Sequence, residues 1–143
     1  MIIRPMEAED ISSVLAIEEA VFSRPWKKKD FLEALCKKEN IYYVAQREDI
    51  VGYIGIWTSF ETADLCNMAV AHEVRRCKVG DQLLKKGLDE ARKYGVKQIL
   101  LEVRESNVPA IHLYQKNGFL TIGNRKNYYH APEEDALLMQ CRL

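Results

Sequence analysis

The sequence predicts a single α+β domain, with one mixed, mostly antiparallel sheet flanked by helices. Three extended runs follow one another between residues 41 and 70 and are parted only by short polar segments, the pattern of an antiparallel meander. The clearest helical period in the chain, Leu83, Leu84, Gly87, Leu88 and Ala91, comes next and leads into another extended run, so a helix links two strands. Finally, 143 residues, 48% of them hydrophobic, with no repeat, linker or low-complexity tract, match the ~100–200 residues that share one core.

Taken in order, the elements begin with a short strand at Ile2–Pro5. Ile11, Val14, Leu15 and Phe22 then lie at helical spacing over Asp10–Phe22, with Asp10 placed as an N-cap. Pro25 breaks this helix. Phe31, Leu32 and Leu35 mark one face of a second helix that starts near Lys27 or Lys28, and Ser23-Arg24-Pro25-Trp26 between the two is a loop with an exposed aromatic. Strands are expected at Ile41–Gln46, at Ile50–Thr58 after the turn Arg47-Glu48-Asp49, and at Ala63–Val70, all rich in β-branched, aromatic or other apolar residues. A loop at Ala71–Lys78 opens the helix that closes near Gly95. Gln98–Arg104 reads as a buried strand, and Pro109–Asn117 as a short helix with proline at its start and Gly118 at its end. Phe119–Arg125 and Ala136–Arg142 are the last strands, separated by the polar stretch Asn127–Asp135.

Composition narrows the function. Twenty-one basic residues balance twenty-one acidic ones, so no direct nucleic-acid or membrane binding is expected, and any phosphate must be held by a local site. Cys36, Cys66, Cys77 and Cys141 form no CxxC pair, and His72, His112 and His130 lie apart from any metal-ligand spacing, so no metal is expected. The start lacks an apolar leader and no apolar run approaches the ~20 residues of a membrane span. A soluble, cytoplasmic protein with free thiols is the expectation.

Three groups of residues carry chemistry. Met68-Ala69-Val70 ends a strand and is followed by Arg75-Arg76-Cys77-Lys78-Val79-Gly80 and a long helix. A loop opening a helix offers free backbone N–H groups and the positive end of the helix dipole, which suit a pyrophosphate; a basic surface turn is the plainer alternative. Glu102 interrupts an apolar strand and faces away from Leu101 and Val103. Partial desolvation would raise its pKa toward that of a general base, whereas an ion pair with Arg104 or another basic residue would make it structural. Tyr114, on the following helix, is either a proton donor or part of the core.

Together these residues resemble a known family. The strand–Arg-Arg-x-x-x-Gly–helix block, Leu101-Glu102-Val103-Arg104-x-Ser106-Asn107, Ala110-x-x-Leu113-Tyr114 and Gly118-Phe119 resemble the acetyl-CoA-binding half of GNAT superfamily N-acetyltransferases, over roughly residues 50–120. Pro25-Trp26 with Phe31, Asn67-Met68-Ala69-Val70, and Arg125-Lys126-Asn127-Tyr128-Tyr129 with Asp135-Ala136 and Met139 are similar to its ribosomal-protein-alanine N-acetyltransferase (RimI) branch.

The resemblance implies a GNAT fold and acetyl transfer from acetyl-CoA to a protein N-terminus, in this branch that of an alanine-starting ribosomal protein. It also implies Glu102 as general base and Tyr114 as general acid. Backbone groups of Met68, Ala69 and Val70 would hold the pantetheine arm; Arg76, Cys77, Lys78, Val79, Gly80 and Asp81 would cradle the pyrophosphate; Asn107 and Tyr114 would contact the cofactor. Phe22 to Trp26 and Asn127 to Tyr129, with Phe22, Trp26, Tyr128 and Tyr129 as the aromatic candidates, would line the peptide cleft. A small amine or a lysine side chain as acceptor, or a non-catalytic acyl-CoA-binding domain, are the alternatives.

One position departs from the family pattern Gln/Arg-x-x-Gly-x-Gly/Ala: Lys78 stands at the first glycine. A left-handed backbone there would be strained. The favoured expectation is a right-handed turn from which the ammonium reaches the cofactor's phosphates.

Overall fold

Antiparallel pairing in chain order builds one half of the sheet from β1 (Ile2–Pro5), β2 (Asn40–Gln46), β3 (Ile50–Ser59) and β4 (Thr62–Val70). After a 3-10 turn at His72–Val74, helix α3 (Val79–Lys93) carries the chain to β5 (Gln98–Arg104), which runs parallel to β4. Helix α4 (Val108–Lys116) then precedes β6 (Leu120–Tyr129) and β7 (Glu134–Arg142), and β7 inserts between β5 and β6. This computed structural model describes residues 1–75 and 77–143. Among them the seven strands form one mixed sheet in the order β1-β2-β3-β4-β5-β7-β6, mostly antiparallel as the sequence predicts.

Strand alternation sends each strand's apolar residues to two faces. On one, Leu83, Leu84, Leu88 and Ala91 of α3 pack against Ile54, Ile56, Ile99, Leu101 and Val103, together with Tyr114 of α4. On the other, α1 (Ile11–Val21) and α2 (Lys28–Leu35) bury Ile11, Val14, Ile17, Phe31 and Ala34 against Tyr42, Val44, Tyr53 and Ala69. Each such large apolar side chain contributes about 1.5–3 kcal/mol by leaving water.

Three expectations change. Asp10 gives α1 no side-chain cap. Its carboxylate instead accepts both Arg4 guanidinium nitrogens at 2.8 Å and the Glu7 N–H at 2.8 Å. A bidentate charged pair outcompetes a neutral cap, and the Arg4 contact holds Asp10 below the usual carboxylate range. Phe22 lies just past the end of α1 in extended conformation rather than within the helix. The polar stretch 127–135 is strand at both ends and turn only over 130–133, because β6 reaches Tyr129 and β7 starts at Glu134. As an edge strand β6 is exposed along almost its whole length, so polar residues fit it and no apolar alternation announces it.

Candidate active site

The sheet opens at its centre. β4 and β5 pair only over Thr62–Asp64 and Gln98–Leu100. Past that point β4 stays with β3 up to Val70, and β5 stays with β7 up to Arg104, so the two strands splay apart. A bulge explains where: Gly55 faces Asn67 and Ile56 faces Leu65, leaving Cys66 as an extra residue just beyond the last β4–β5 pair. Bulges bend a strand and end its pairing. The Ala71 N–H donates to Val51 O at 2.8 Å, toward β3, and amide direction alternates along an antiparallel strand. Met68 and Val70 therefore turn their backbone groups into the gap.

Glu102 sits on the other side of that gap, half-buried between buried Leu101 and Val103 and facing the side of the sheet that carries α1 and α2. Its cationic partner is Arg125 of β6, with Nε 3.2 Å from Oε2, and not Arg104. Arg104 instead pairs with Glu134 at 3.2 Å, donates to the carbonyls of Pro132 and His130, and lies 4.4 Å from the centre of the Tyr129 ring. Tyr128 and Tyr129 meet edge to face at 5.1 Å. Burial pushes the Tyr129 phenol up to about 12, with Tyr128 and Glu102 adding to the shift. The Tyr128 phenol is raised by burial and by the adjoining Glu102 carboxylate.

Tyr114 of α4 is buried against Phe119, with ring centres 5.7 Å apart. Burial first, and then Tyr129, push its hydroxyl up to about 12. It thus holds its proton throughout the neutral range, whether it serves as core or as donor.

At the start of α3, Lys78 adopts φ 63° and ψ 16°, a left-handed conformation. The favoured right-handed turn is therefore overturned: the backbone here takes the path that glycine would follow without strain, and the side chain costs about 1–2 kcal/mol. Gly80 lets α3 and α4 approach closely, since a Cβ there would stand 3.2 Å from Leu113, with the Met68 and Val70 side chains 3.5–3.6 Å away. Val79 is buried in the core and Cys77 is exposed. The Asp81 carboxylate is engaged by Lys85 and by Asn117 Nδ2 at 3.0 Å, which ties the end of α4 to the start of α3. Asn107 caps α4, its Oδ1 accepting the Ala110 N–H at 3.3 Å. Arg76 lies outside the described residues.

The α1–α2 loop is fixed from below. Buried Glu18 of α1 accepts the Trp26 N–H at 2.9 Å and the Tyr53 hydroxyl. Trp26 is half-buried rather than exposed as the sequence suggested, because its ring packs on Phe31 at 5.0 Å and on Trp57 at 6.0 Å. Trp26 and Trp57 border a groove of about 250 Å³ with Asp30, Glu33, Ala34 and Lys37. A second buried chain runs from Trp57 Nε1 to the Tyr42 hydroxyl at 2.9 Å and on to Asn67 Oδ1 at 2.8 Å. It spans three strands because Gly55 lies between: a Cβ there would fall 2.3 Å from the Tyr42 ring. Phe22 is 39% exposed at the loop's entry.

The splayed parallel pair, with a helix N-terminus at its mouth, invites comparison with known proteins. The model of the acetyltransferase (GNAT) family matches residues 11–119. The chain belongs to the GNAT acetyltransferase family. A relative from Bacillus subtilis (strain 168), provisionally named a [ribosomal protein bS18]-alanine N-acetyltransferase, is 37% identical over 96% of this chain and 92% of its own length. The crystal structure of the ribosomal-protein-S18-alanine N-acetyltransferase from Escherichia coli superposes with a TM-score of 0.90 at 30% identity, covering 99% of this GNAT chain and 92% of that one. A GNAT family acetyltransferase from Elizabethkingia anophelis, solved with acetyl-CoA bound, gives a TM-score of 0.79 at 25% identity, covering 99% and 97%.

The fold of this GNAT domain thus brings Glu102, Tyr128 and Tyr129 together, and Gly80 beside Met68 and Val70. Sequence reasoning missed Glu18 as part of this region, and it quoted Asn67 and Arg125 within the family motifs without giving either a partner or a role. Glu18 had a visible signal, a carboxylate four residues after Val14 on the buried face of α1. The partners of Asn67 and Arg125 left no such signal, since they lie on other strands.

Proposed function

We propose that this GNAT protein transfers the acetyl group of acetyl-CoA to the N-terminal α-amino group of an alanine-starting ribosomal protein of the bS18 type, acting in the cytoplasm. The observation that carries this reading is the β4–β5 split, which puts backbone groups of Met68 and Val70 on one side and Glu102 on the other. The names of the relatives support the choice of acceptor. Among the described residues no helix is long and apolar enough to cross a membrane.

The residues fit acetyl-CoA. The gap-facing amides of Met68 and Val70 suit the amides of a pantetheine arm, and the first-turn N–H groups of Val79, Gly80 and Asp81 have no helical carbonyl to reach, which suits a pyrophosphate. Lys78 and Cys77 precede that turn, Leu113 and Asn117 of the α4 end border it, and Arg76, Asn107 and Tyr114 are the remaining residues proposed to contact the cofactor. Bound there, acetyl-CoA supplies an activated thioester carbonyl and a thiolate as leaving group.

The chain's own groups do the rest. An α-ammonium has pKa about 7.7–8.0 and must lose a proton before it can attack, so Glu102 takes that proton directly or through water. The Val70 N–H donates to the carbonyl oxygen as negative charge develops on it. Tyr114, protonated far above neutral pH, gives its proton to the departing sulfur. Phe22, Trp26, Tyr128 and Tyr129 border the acceptor. Turnover assays with alanine-starting peptides against free polyamines test the reading: preference for the peptide is expected, and preference for the polyamine would replace it with a small-amine acetyltransferase.

A further inference from the structure

Two arginines reach the rim of the site, and they are held very differently. Arg104 is fastened by Glu134, by two carbonyls and by the Tyr129 ring. Arg125 lies on the exposed edge strand with 55% of its side chain open to solvent, 3.2 Å from Glu102 Oε2 and 5.9 Å from the centre of the Tyr128 ring. That Oε2 is closed off from solvent, yet it accepts no hydrogen bond among the described residues. Arg125 therefore compensates the charge of Glu102 without being aligned to it.

A carboxylate oxygen shut away from water needs a cation, and a general base for an ammonium needs that cation to be removable. Both demands meet in an arginine with a solvent-facing tether on an edge strand. We infer that Arg125 is a placeholder for the acceptor's α-ammonium: it neutralises Glu102 before the acceptor binds and swings into solvent when the ammonium takes its position. The inference rests on Glu102 being the base. Two cations at one carboxylate repel, so the exchange is one for one, and the work of displacing Arg125 is subtracted from acceptor affinity. Arg125 is thus a positioning residue that sets how readily an amine enters; it takes no part in the transfer itself.

Steady-state kinetics of Arg125→Gln and Arg125→Lys test it, with thermal melting to verify the fold. Removing the guanidinium should lower KM for an alanine-starting peptide about two- to fivefold, the scale of an exposed ion pair, with a smaller change in kcat and none in KM for acetyl-CoA. Arg125→Lys, which keeps the charge, should stay near wild type. In a Glu102→Gln background, titration calorimetry with the same peptide should find Arg125→Gln without effect, because the charge it guarded is gone. A raised peptide KM in Arg125→Gln would make Arg125 an acceptor-binding residue, and an unchanged one would make the pair a bystander; either result overturns the inference. Failure of the underlying reading looks different: Glu102→Gln alone would keep wild-type turnover.

Discussion

The α1–α2 loop and the β6–β7 hairpin both border the face of the sheet that carries Glu102, and they are secured by opposite means. The loop is fastened from inside, where Glu18, 3% exposed, takes hydrogen bonds from the Trp26 backbone and from Tyr53. The hairpin's tip is held by the part-buried Arg104–Glu134 pair, but along its outer strand the Asn127 N–H reaches Asp135 at 2.9 Å in an exposed contact. Buried charged hydrogen bonds are costly to lose, whereas exposed ones exchange readily with water. The difference suggests a division of labour in which one border fixes the groove beside Trp26 and the other adjusts, carrying Arg125, Tyr128 and Tyr129 with it.

The largest expected effects lie between these borders. Glu102→Gln and Tyr114→Phe should each lower kcat by ~10²-fold or more with the fold intact, the usual scale for losing a general acid or base. Circular dichroism and single-turnover assays check this, and near wild-type turnover in either variant removes that residue from the mechanism.

Next comes a direct test of the contrast. Glu18→Ala leaves two buried donors unpaired and should cost about 2–4 kcal/mol in denaturant melts, while raising KM for the peptide and leaving acetyl-CoA affinity unchanged. Asp135→Ala, on the exposed hairpin, should cost about 0.5–1.5 kcal/mol. Equal losses would break the comparison.

Lys78→Gly should stabilise the protein by about 0.5–1 kcal/mol, the strain relieved less the added freedom of glycine in the unfolded chain. A rise in coenzyme A affinity should accompany it, measurable by titration; a drop in both would show that the lysine's charge outweighs its strain. The smallest effect concerns pH. Because the Tyr114 phenol is raised to about 12, its contribution is fully present below the unfolded value of about 10 and is lost only as pH rises through about 12. Between pH 7 and 10 the kcat profile should thus show no alkaline fall that Tyr114→Phe abolishes.

The α3 period, the meander and the Glu102 alternation were legible in the chain because each depends on neighbours within one turn or one strand. The combined motif around Glu102, Asn107 and Tyr114 pointed to the family for the same reason, as its parts lie in consecutive elements. The β6–β7 hairpin was legible only in part. Its outer strand buries almost nothing, so no hydrophobic pattern marked its extension to Tyr129.

What the sequence by itself determined, then, is the set of elements, the family and the residue types at the proposed acid and base positions and at the helix N-terminus. Tertiary structure decided the rest. It set the bulge at Cys66 that parts β4 from β5, the left-handed turn at Lys78, and the partners of Glu18 and Glu102, which come from 35 residues away in Tyr53 and from the far side of β7 in Arg125. The physical reason is range: backbone propensity and burial periodicity act over a few residues and leave a mark in the chain. A splay between strands, or an ion pair across a sheet, depends on strand order and register, which exist only once the whole sheet has formed.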